Sequence, residues 1–153
     1  MRKFASASAL SLGTLGAVMA LLQGTPAHAL NTKSFVSNVG NNQSSCSNAL
    51  NACATFAGAL AKTAPGGEIA VLNSGDYGPV FITQSVNISN DGAGEASIVA
   101  PPANGITING GAGDVVNLRG LVIDGQGGGA NGILIQQASG VHVQNCEIGR
   151  AHV

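Results

Sequence analysis

A repeated pattern in the C-terminal third of this chain constrains its fold more than any other feature. The segment VNLRGLVIDG at 116–125 aligns with VHVQNCEIGR at 141–150 at a constant offset of 25 residues. The apolar positions match in pairs: Val116 with Val141, Leu118 with Val143, Leu121 with Cys146, and Ile123 with Ile148. Three short strands with their turns need roughly 22–27 residues. The repeat therefore predicts one coil of a three-sided solenoid, in which these residues stack inward from successive coils.

Alternating apolar residues extend this strand pattern over most of the chain after residue 67. The predicted strands are 68–72, 79–83, 86–89, 96–100, 105–109, 115–124, 132–136 and 141–148. Segments rich in glycine, asparagine and aspartate separate them and predict turns. Gly120 and Asn145 occupy the same slot of the repeat. This slot favours a kink between two short strands, because both residue types tolerate left-handed backbone angles.

The segment ahead of these strands predicts a single helix. In CATFAGALAKTA the apolar residues recur at i, i+3, i+4 and i+7, which gives a helix over 53–64 one apolar face. The sequence PGG at 65–67 then ends the helix and reverses the chain. Residues 30–52 are rich in asparagine and serine and predict a polar lead-in with at most one short strand, around 34–36.

Residues 1–29 have the pattern of a secretory signal peptide. Arg2 and Lys3 precede an apolar stretch, and AHA at 27–29 has the small-x-small form that signal peptidase cleaves. The apolar stretch is shorter than the about 20 residues of a membrane-spanning helix, and a retained N-terminal anchor is the alternative. We therefore expect a protein that is secreted, periplasmic or on the surface of a bacterium, with no membrane contact after cleavage.

Cleavage after residue 29 would leave a weakly acidic chain. The basic residues that remain are Lys33, Lys62, Arg119 and Arg150, against all seven acidic residues, which gives a formal net charge of −3. Such a chain does not attract nucleic acid or an anionic membrane electrostatically. The exported part is also poor in aromatic residues and rich in glycine and small aliphatic residues, a composition typical of tightly stacked β-structure.

The three cysteines all lie in the exported part. Cys46 and Cys53 are close enough in sequence for a local disulfide in an oxidising compartment, with two free thiols as the alternative. Zinc is not predicted, because no second Cys/His pair lies at ligand spacing near them. Cys146 is predicted to be a small buried hydrophobic residue of the stack. A catalytic nucleophile activated by His142 is the alternative.

Two longer segments carry a resemblance to a known family. FAGALAKTAPGGEIAVLNSGDYGPVFITQSVNISNDG contains a capping helix, a Pro-Gly turn and a Gly-Asp-Tyr turn, and VVNLRGLVIDG with GILIQQASGVHVQNCEI contains a coil repeat with an Asn-Cys step. Over about residues 54–148 the chain resembles right-handed parallel β-helix proteins of the pectin-lyase-like superfamily. The resemblance implies an all-β solenoid with an N-terminal amphipathic capping helix over 53–148. Because this scaffold carries lyases, hydrolases, adhesins and phage tailspikes, it implies no single activity.

No catalytic, cofactor or metal site is predicted in this part of the chain. Superfamily enzymes that cut uronic-acid polymers hold the substrate through calcium, which takes six to eight oxygen ligands. The available acids form no obvious cluster along the sequence: Glu68, Asp76, Asp91, Glu95, Asp114, Asp124 and Glu147. Asp91 and Asp124 precede glycines and are predicted to be turn residues that accept from local backbone amides.

Two other polar residues receive structural roles. Arg119 is predicted to be a solvated outward side chain beside inward Leu118, with a lyase base as the alternative. Tyr77, the one tyrosine of the chain, is predicted to pack in the turn after Asp76.

The last residues, GRAHV at 149–153, are predicted to be a non-native tail. The strand pattern stops at Ile148 without the polar cap that a terminal coil requires. IGRAHV followed by a stop codon also corresponds to the translation of a common sequencing-library adapter. On this interpretation Arg150 and His152 have no functional role, and a naturally truncated relative is the alternative.

These observations favour the N-terminal fragment of an exported β-helix protein. We expect a polysaccharide-binding or structural surface module without a catalytic site in this part, since repeated flat faces suit extended polymers. The alternative is the N-terminal part of a polysaccharide lyase or glycoside hydrolase whose catalytic coils are missing, and a third is an assembly or phage-tail component. The sequence indicates no oligomeric state.

Overall fold

The computed structural model describes residues 29–152. The predicted signal peptide, except its last residue, and the last residue of the predicted tail lie outside this part. A short 3₁₀ helix covers Ala49–Asn51, and α1 covers Phe56–Leu60. The strands are β1 (Asn31–Val36), β2 (Thr63–Val71), β3 (Gly75–Asp76), β4 (Val80–Ile82), β5 (Val86–Ser89), β6 (Ala96–Val99), β7 (Ile106–Asn109), β8 (Val115–Arg119), β9 (Leu121–Asn131), β10 (Ile133–Gln137), β11 (Gly140–Gln144) and β12 (Glu147–His152).

The strands form three parallel sheets that the chain visits in turn. A five-stranded sheet has the order β1-β2-β5-β8-β11, a four-stranded sheet β12-β9-β6-β3, and a three-stranded sheet β10-β7-β4. From β2 onward each strand therefore pairs with the strand three further along the chain, and every pairing is parallel. This confirms an all-β chain of parallel strands. The arrangement is compatible with a parallel β-helix.

The core is formed by aliphatic residues from paired positions of successive strands. In the five-stranded sheet Ile69 pairs with Ile88 and Ile88 with Leu118, and all three are buried. Their strand neighbours Asn87 and Asn117 point to the opposite face, because successive side chains alternate across a strand. Fully burying one such aliphatic side chain contributes about 1.5–3 kcal/mol to the free energy of folding.

The aligned repeat corresponds to strand pairs. The register pairs Val116 with Val141, Leu118 with Val143, and Ile123 with Ile148. Members from the earlier layer are buried, whereas Val143 is 44% and Ile148 46% exposed. Within residues 29–152 no strand lies beyond β10, β11 and β12, which explains this exposure. β12 includes residues 149–152 of the predicted tail, whose non-native origin stays a prediction.

The predicted kinks are confirmed at the ends of β8 and β11. Gly120 has φ +70° and Asn145 has φ +51°, so both adopt the left-handed backbone. A Cβ at Gly120 would lie 2.5 Å from the carbonyl oxygen of Asn90, which explains why glycine occupies this slot. In both places the chain leaves the five-stranded sheet and enters the four-stranded sheet.

The predicted helix is much shorter than 53–64. Thr55 caps α1 by accepting from the Gly58 amide at 3.0 Å, and the helix ends at Leu60. β2 then begins at Thr63, ahead of the Pro-Gly turn that was expected to separate helix from strand. The reason is a strand partner in the lead-in: Asn31 of β1 pairs with Thr63, and the Thr63 hydroxyl lies 2.8 Å from Ser34 Oγ. The lead-in thus contributes a full strand.

Two segments predicted as turns are strands. Gly75 and Asp76 form β3, because they pair with Ala96 and Ser97 of β6, and the Gly75 amide donates to the Glu95 carbonyl at 2.9 Å. The glycine-rich segment after Asp124 continues β9 up to Asn131. Backbone pairing explains β3 and the pairing of Gly129 and Asn131 with β12, whereas Gln126 and Gly127 keep positive φ angles of +49° and +76°, as in a turn.

The predicted disulfide between Cys46 and Cys53 is present, with the two Cα atoms 5.1 Å apart. Both cysteines are buried in the core cluster with Phe56 of α1. The disulfide joins the lead-in to the segment before the helix and covers the end of the stack beside β1. β1 is held beside the disulfide, since the Phe35 amide donates to the Cys46 carbonyl at 2.8 Å.

Candidate binding groove

The outer face of the five-stranded sheet carries two rows of side chains in register. The first row, on neighbouring strands, is Lys33, Glu68, Asn87, Asn117 and His142. The second row, two residues further along each strand, is Phe35, Ala70, Ser89, Arg119 and Gln144. Because these positions alternate with the buried core positions, all of them belong to the outer surface of the sheet.

A groove of about 320 Å³ lies between these rows. Its lining is formed by Glu68, Asn87, Ile88, Ser89, Asp91, Asn117, Leu118, Arg119, His142 and Gln144. Eight of these ten residues are polar or charged. The groove is therefore a hydrogen-bonding surface rather than an apolar pocket.

The charged side chains of this surface are paired with one another. Lys33 Nζ lies 3.1 Å from Glu68 Oε1 and 5.7 Å from the centre of the Phe35 ring. Ser89 Oγ donates to the same Glu68 oxygen at 3.0 Å. Arg119 Nη2 forms an ion pair with Asp91 Oδ1. Exposed pairs of this kind contribute little to stability, but they neutralise the charge of the surface.

The amide and imidazole groups divide into two sets. Asn117 Nδ2 donates to Asn87 Oδ1, so these two amides form a ladder between β8 and β5. Among residues 29–152 the structure gives the side chains of His142 and Gln144 no hydrogen-bond partner, and both are exposed. Their donors and acceptors are therefore available to a ligand in the groove.

Two acids outside the groove, Asp114 and Asp124, have structural roles. Asp114 Oδ1 accepts from the hydroxyl and amide of Ser85 at 2.7 and 2.9 Å, and Oδ2 accepts from the Gly111 amide at 2.6 Å. These bonds, the Ser85 hydroxyl first, hold the pKa of Asp114 below its ordinary value. Asp124 accepts from the Gln126 amide at 2.8 Å, as expected for a turn residue.

Asp91 departs from its prediction. It was expected to accept from a local backbone amide, whereas its carboxylate reaches Arg119 on β8. The turn amide is satisfied instead by its neighbour, since Asn90 Oδ1 accepts from the Ala93 amide at 3.1 Å. Arg119 does point outward, but as half of an ion pair rather than as a freely solvated side chain.

Tyr77 packs in the core and not in the groove. Its ring is fully buried, with its centre 5.1 Å from that of Phe56. Its hydroxyl donates to the Asn73 carbonyl at 2.5 Å. Burial raises the pKa of Tyr77, although hydrogen bonds with the Asn73 and Asn38 backbones oppose it.

Cys146 and His142 lie in different surroundings. Cys146 is half-buried and packs against the core, with its thiol donating to the Gln144 carbonyl at 3.3 Å. It is less buried than predicted because it belongs to the last described layer. His142 lines the outer groove. The kink at Asn145 separates it from Cys146 along the chain.

Neither a metal cluster nor a membrane span is found in the described residues. Across residues 29–152, no three His, Cys, Asp or Glu side chains group closely enough to hold a metal ion. In the same part of the chain no helix has the length and apolar character to cross a membrane.

Sequence reasoning did not identify this groove, although the signal was present. The repeat alignment that pairs Val116 with Val141 also pairs Asn117 with His142 and Arg119 with Gln144 at the same offset. The apolar positions of the alignment predict the core, and the polar positions carry no prediction of a groove. The polar positions between them form the second, outward surface.

Comparison with known proteins gave no relatives. No protein-family model matches the sequence, and no curated protein or solved structure matches the chain.

Proposed function

We propose that this chain is part of an exported bacterial protein with a right-handed parallel β-helix of the pectin-lyase-like superfamily, and that its outer groove binds extended polysaccharide. The turn-by-turn order of the three sheets and the quoted coil repeat support the fold assignment. The signal pattern at 1–29 and the disulfide between Cys46 and Cys53 support export, since disulfides persist in oxidising compartments.

The observation that carries the binding function is the two rows of side chains in register, of which the first is polar on all five strands and the second on β5, β8 and β11. Neighbouring strands lie about 4.8 Å apart, so one row spans about 19 Å from the first strand to the fifth. A surface that repeats at this interval can contact successive units of a linear polymer. A compact small molecule would contact only one or two of these positions.

The chemistry of the rows favours sugar hydroxyl groups. Asparagine, glutamine, serine and histidine side chains both donate and accept hydrogen bonds, as hydroxyl groups do. Nucleic acid would require clustered unpaired cations, and the two cations of these rows, Lys33 and Arg119, are both ion-paired. The groove is therefore suited to a hydroxyl-rich ligand.

The test is retention of the purified protein on immobilised polysaccharides, with variants of the unpaired side chains. We expect Gln144→Ala and His142→Ala each to weaken binding about two- to tenfold, because one neutral hydrogen bond contributes about 0.5–1.5 kcal/mol. The matched control is Gln137→Ala on β10, which removes the same side chain from a different sheet. Equal effects of Gln144→Ala and Gln137→Ala would contradict binding in this groove.

The enzyme alternative makes a different prediction for the same preparation. The groove contains Arg119 and His142, and a lyase needs a basic residue to remove a proton. Calcium-dependent release of unsaturated uronides by the full-length protein would identify a lyase and replace the binding-module proposal. We expect no such release from the residues described here.

A further inference from the structure

The formal charges that line the groove are engaged by two ion pairs, Lys33 with Glu68 and Arg119 with Asp91. The formal charges there are those of Glu68, Asp91 and Arg119, so the lining carries one more acid than base when histidine is counted as neutral. Glu68 is already engaged by Lys33 and Ser89. Arg119 is the cation in the lining that could bind an anionic ligand, and its guanidinium is already paired with Asp91.

Asp91 is presented to Arg119 by an anchored turn. Ser89 pairs with Arg119 at the end of β5, and Asp91 follows two residues later. The intervening Asn90 bonds within the turn to the Gly94 carbonyl at 2.7 Å and to the next layer at the Gly120 carbonyl at 3.0 Å. The Asn90 amide also donates to the Arg119 carbonyl at 3.0 Å. These hydrogen bonds therefore fix the backbone beside Arg119, next to the residue that carries the Asp91 carboxylate.

We propose that Asp91 is a specificity-determining residue that restricts the groove to uncharged glycans. This inference rests on the proposed polysaccharide-binding function. An anionic polymer would have to displace Asp91 from Arg119 and would then lie against two carboxylates. A neutral polymer leaves the ion pair intact and bonds to the amide and imidazole groups of Asn117, His142 and Gln144.

The experiment compares polymers that share a backbone and differ in charge. The probes are hydroxyethylcellulose against carboxymethylcellulose, and methyl-esterified against de-esterified homogalacturonan, in affinity electrophoresis at low and at physiological salt. We expect the wild-type protein to prefer the uncharged member of at least one pair. We expect Asp91→Asn to strengthen binding of the charged member about two- to fivefold, as one exposed ion pair allows, and to change binding of the uncharged member less.

A matched variant separates the ion pair from the overall charge. Glu147→Gln makes the same change in net charge on the four-stranded sheet, away from the groove, and should leave the preference unchanged. Thermal unfolding of each variant checks that the fold is intact. An equal gain in Asp91→Asn and Glu147→Gln would overturn the role of Asp91.

The failures of the two proposals are distinguishable. If the wild-type protein binds the charged members as tightly as the uncharged ones, the inference is wrong while the binding function stands. If no polymer is retained, neither by the wild-type protein nor by Asp91→Asn, the binding function itself is wrong and the inference falls with it.

Discussion

The five-stranded sheet carries Ile69, Ile88 and Leu118 on its inner face and Glu68, Asn87 and Asn117 at the neighbouring outer positions. These three inner residues are all aliphatic and are at most 1% exposed. The outer residues are polar on each of these strands. The inner row is thus selected by packing, which any aliphatic residue of the right volume can satisfy. The outer row is not constrained by core packing and can contact a ligand.

The largest effect is expected from the inner row. Leu118→Ala should lower the free energy of unfolding by about 2–5 kcal/mol, because it removes buried methyl groups and leaves a cavity between layers. Urea denaturation measures the change. The contrast between the two faces would fail if this variant proved as stable as an outer-face variant.

The next effect is expected from the disulfide that covers the inner stack beside β1. Replacing Cys46 and Cys53 together by serine should cost about 2–3 kcal/mol, since the bond closes a short loop in the unfolded chain. The loss should appear as a lower denaturation midpoint in the variant and in the reduced wild-type protein. A reduced protein with an unchanged midpoint would show that the surrounding core suffices.

A smaller effect on stability is expected from the outer row. Asn117→Ala removes the amide ladder to Asn87 and should cost about 1 kcal/mol, the typical net value of one hydrogen bond. The same variant should weaken polysaccharide binding, whereas Val116→Ala, which changes a buried residue of the same strand outside the groove lining, should not when measured below its unfolding transition. Reversal of these two outcomes would remove the functional distinction between the faces.

The smallest effect concerns acid stability at the turn before β8. The pKa of Asp114 is lowered in the folded state, so its bonds to Ser85 and Gly111 stabilise the fold above the ordinary carboxyl value of 3.8. This contribution is lost as pH falls through the lowered folded pKa. The melting temperature of Asp114→Asn should therefore lie below that of wild type at neutral pH, with the difference shrinking below about pH 4. A difference independent of pH would exclude this role.

Strands set by a strong alternating pattern were predictable from the sequence. VNIS at 86–89 coincides with β5, and the aligned repeat gave the partners of Val116, Leu118 and Ile123. Elements that depend on distant partners were not. β1 becomes a full strand through pairing with β2, and β3 forms in a glycine-containing turn because β6 lies beside it.

The candidate groove was hidden for a related reason. Polar positions in a strand pattern are equally consistent with plain solvent exposure, so their periodicity alone does not mark a site. Register across several strands brings Asn117, His142 and Gln144 to one surface, and this can be seen only when the pairing is known. The partner of Asp91 depended on the same register, because Arg119 lies 28 residues away in the sequence.

The regular order of the sheets also has a kinetic consequence. Each strand of β5, β8 and β11 pairs with a partner a few tens of residues earlier, such as Asn87 with Asn117 and Val116 with Val141. The distance along the chain over which a loop must close therefore lies between 19 residues (Glu68 to Asn87) and 30 residues (Asn87 to Asn117) and does not grow steadily from layer to layer. Once one layer has formed, the next can add to its edge without a longer search, so folding is expected to proceed by propagation from a nucleus.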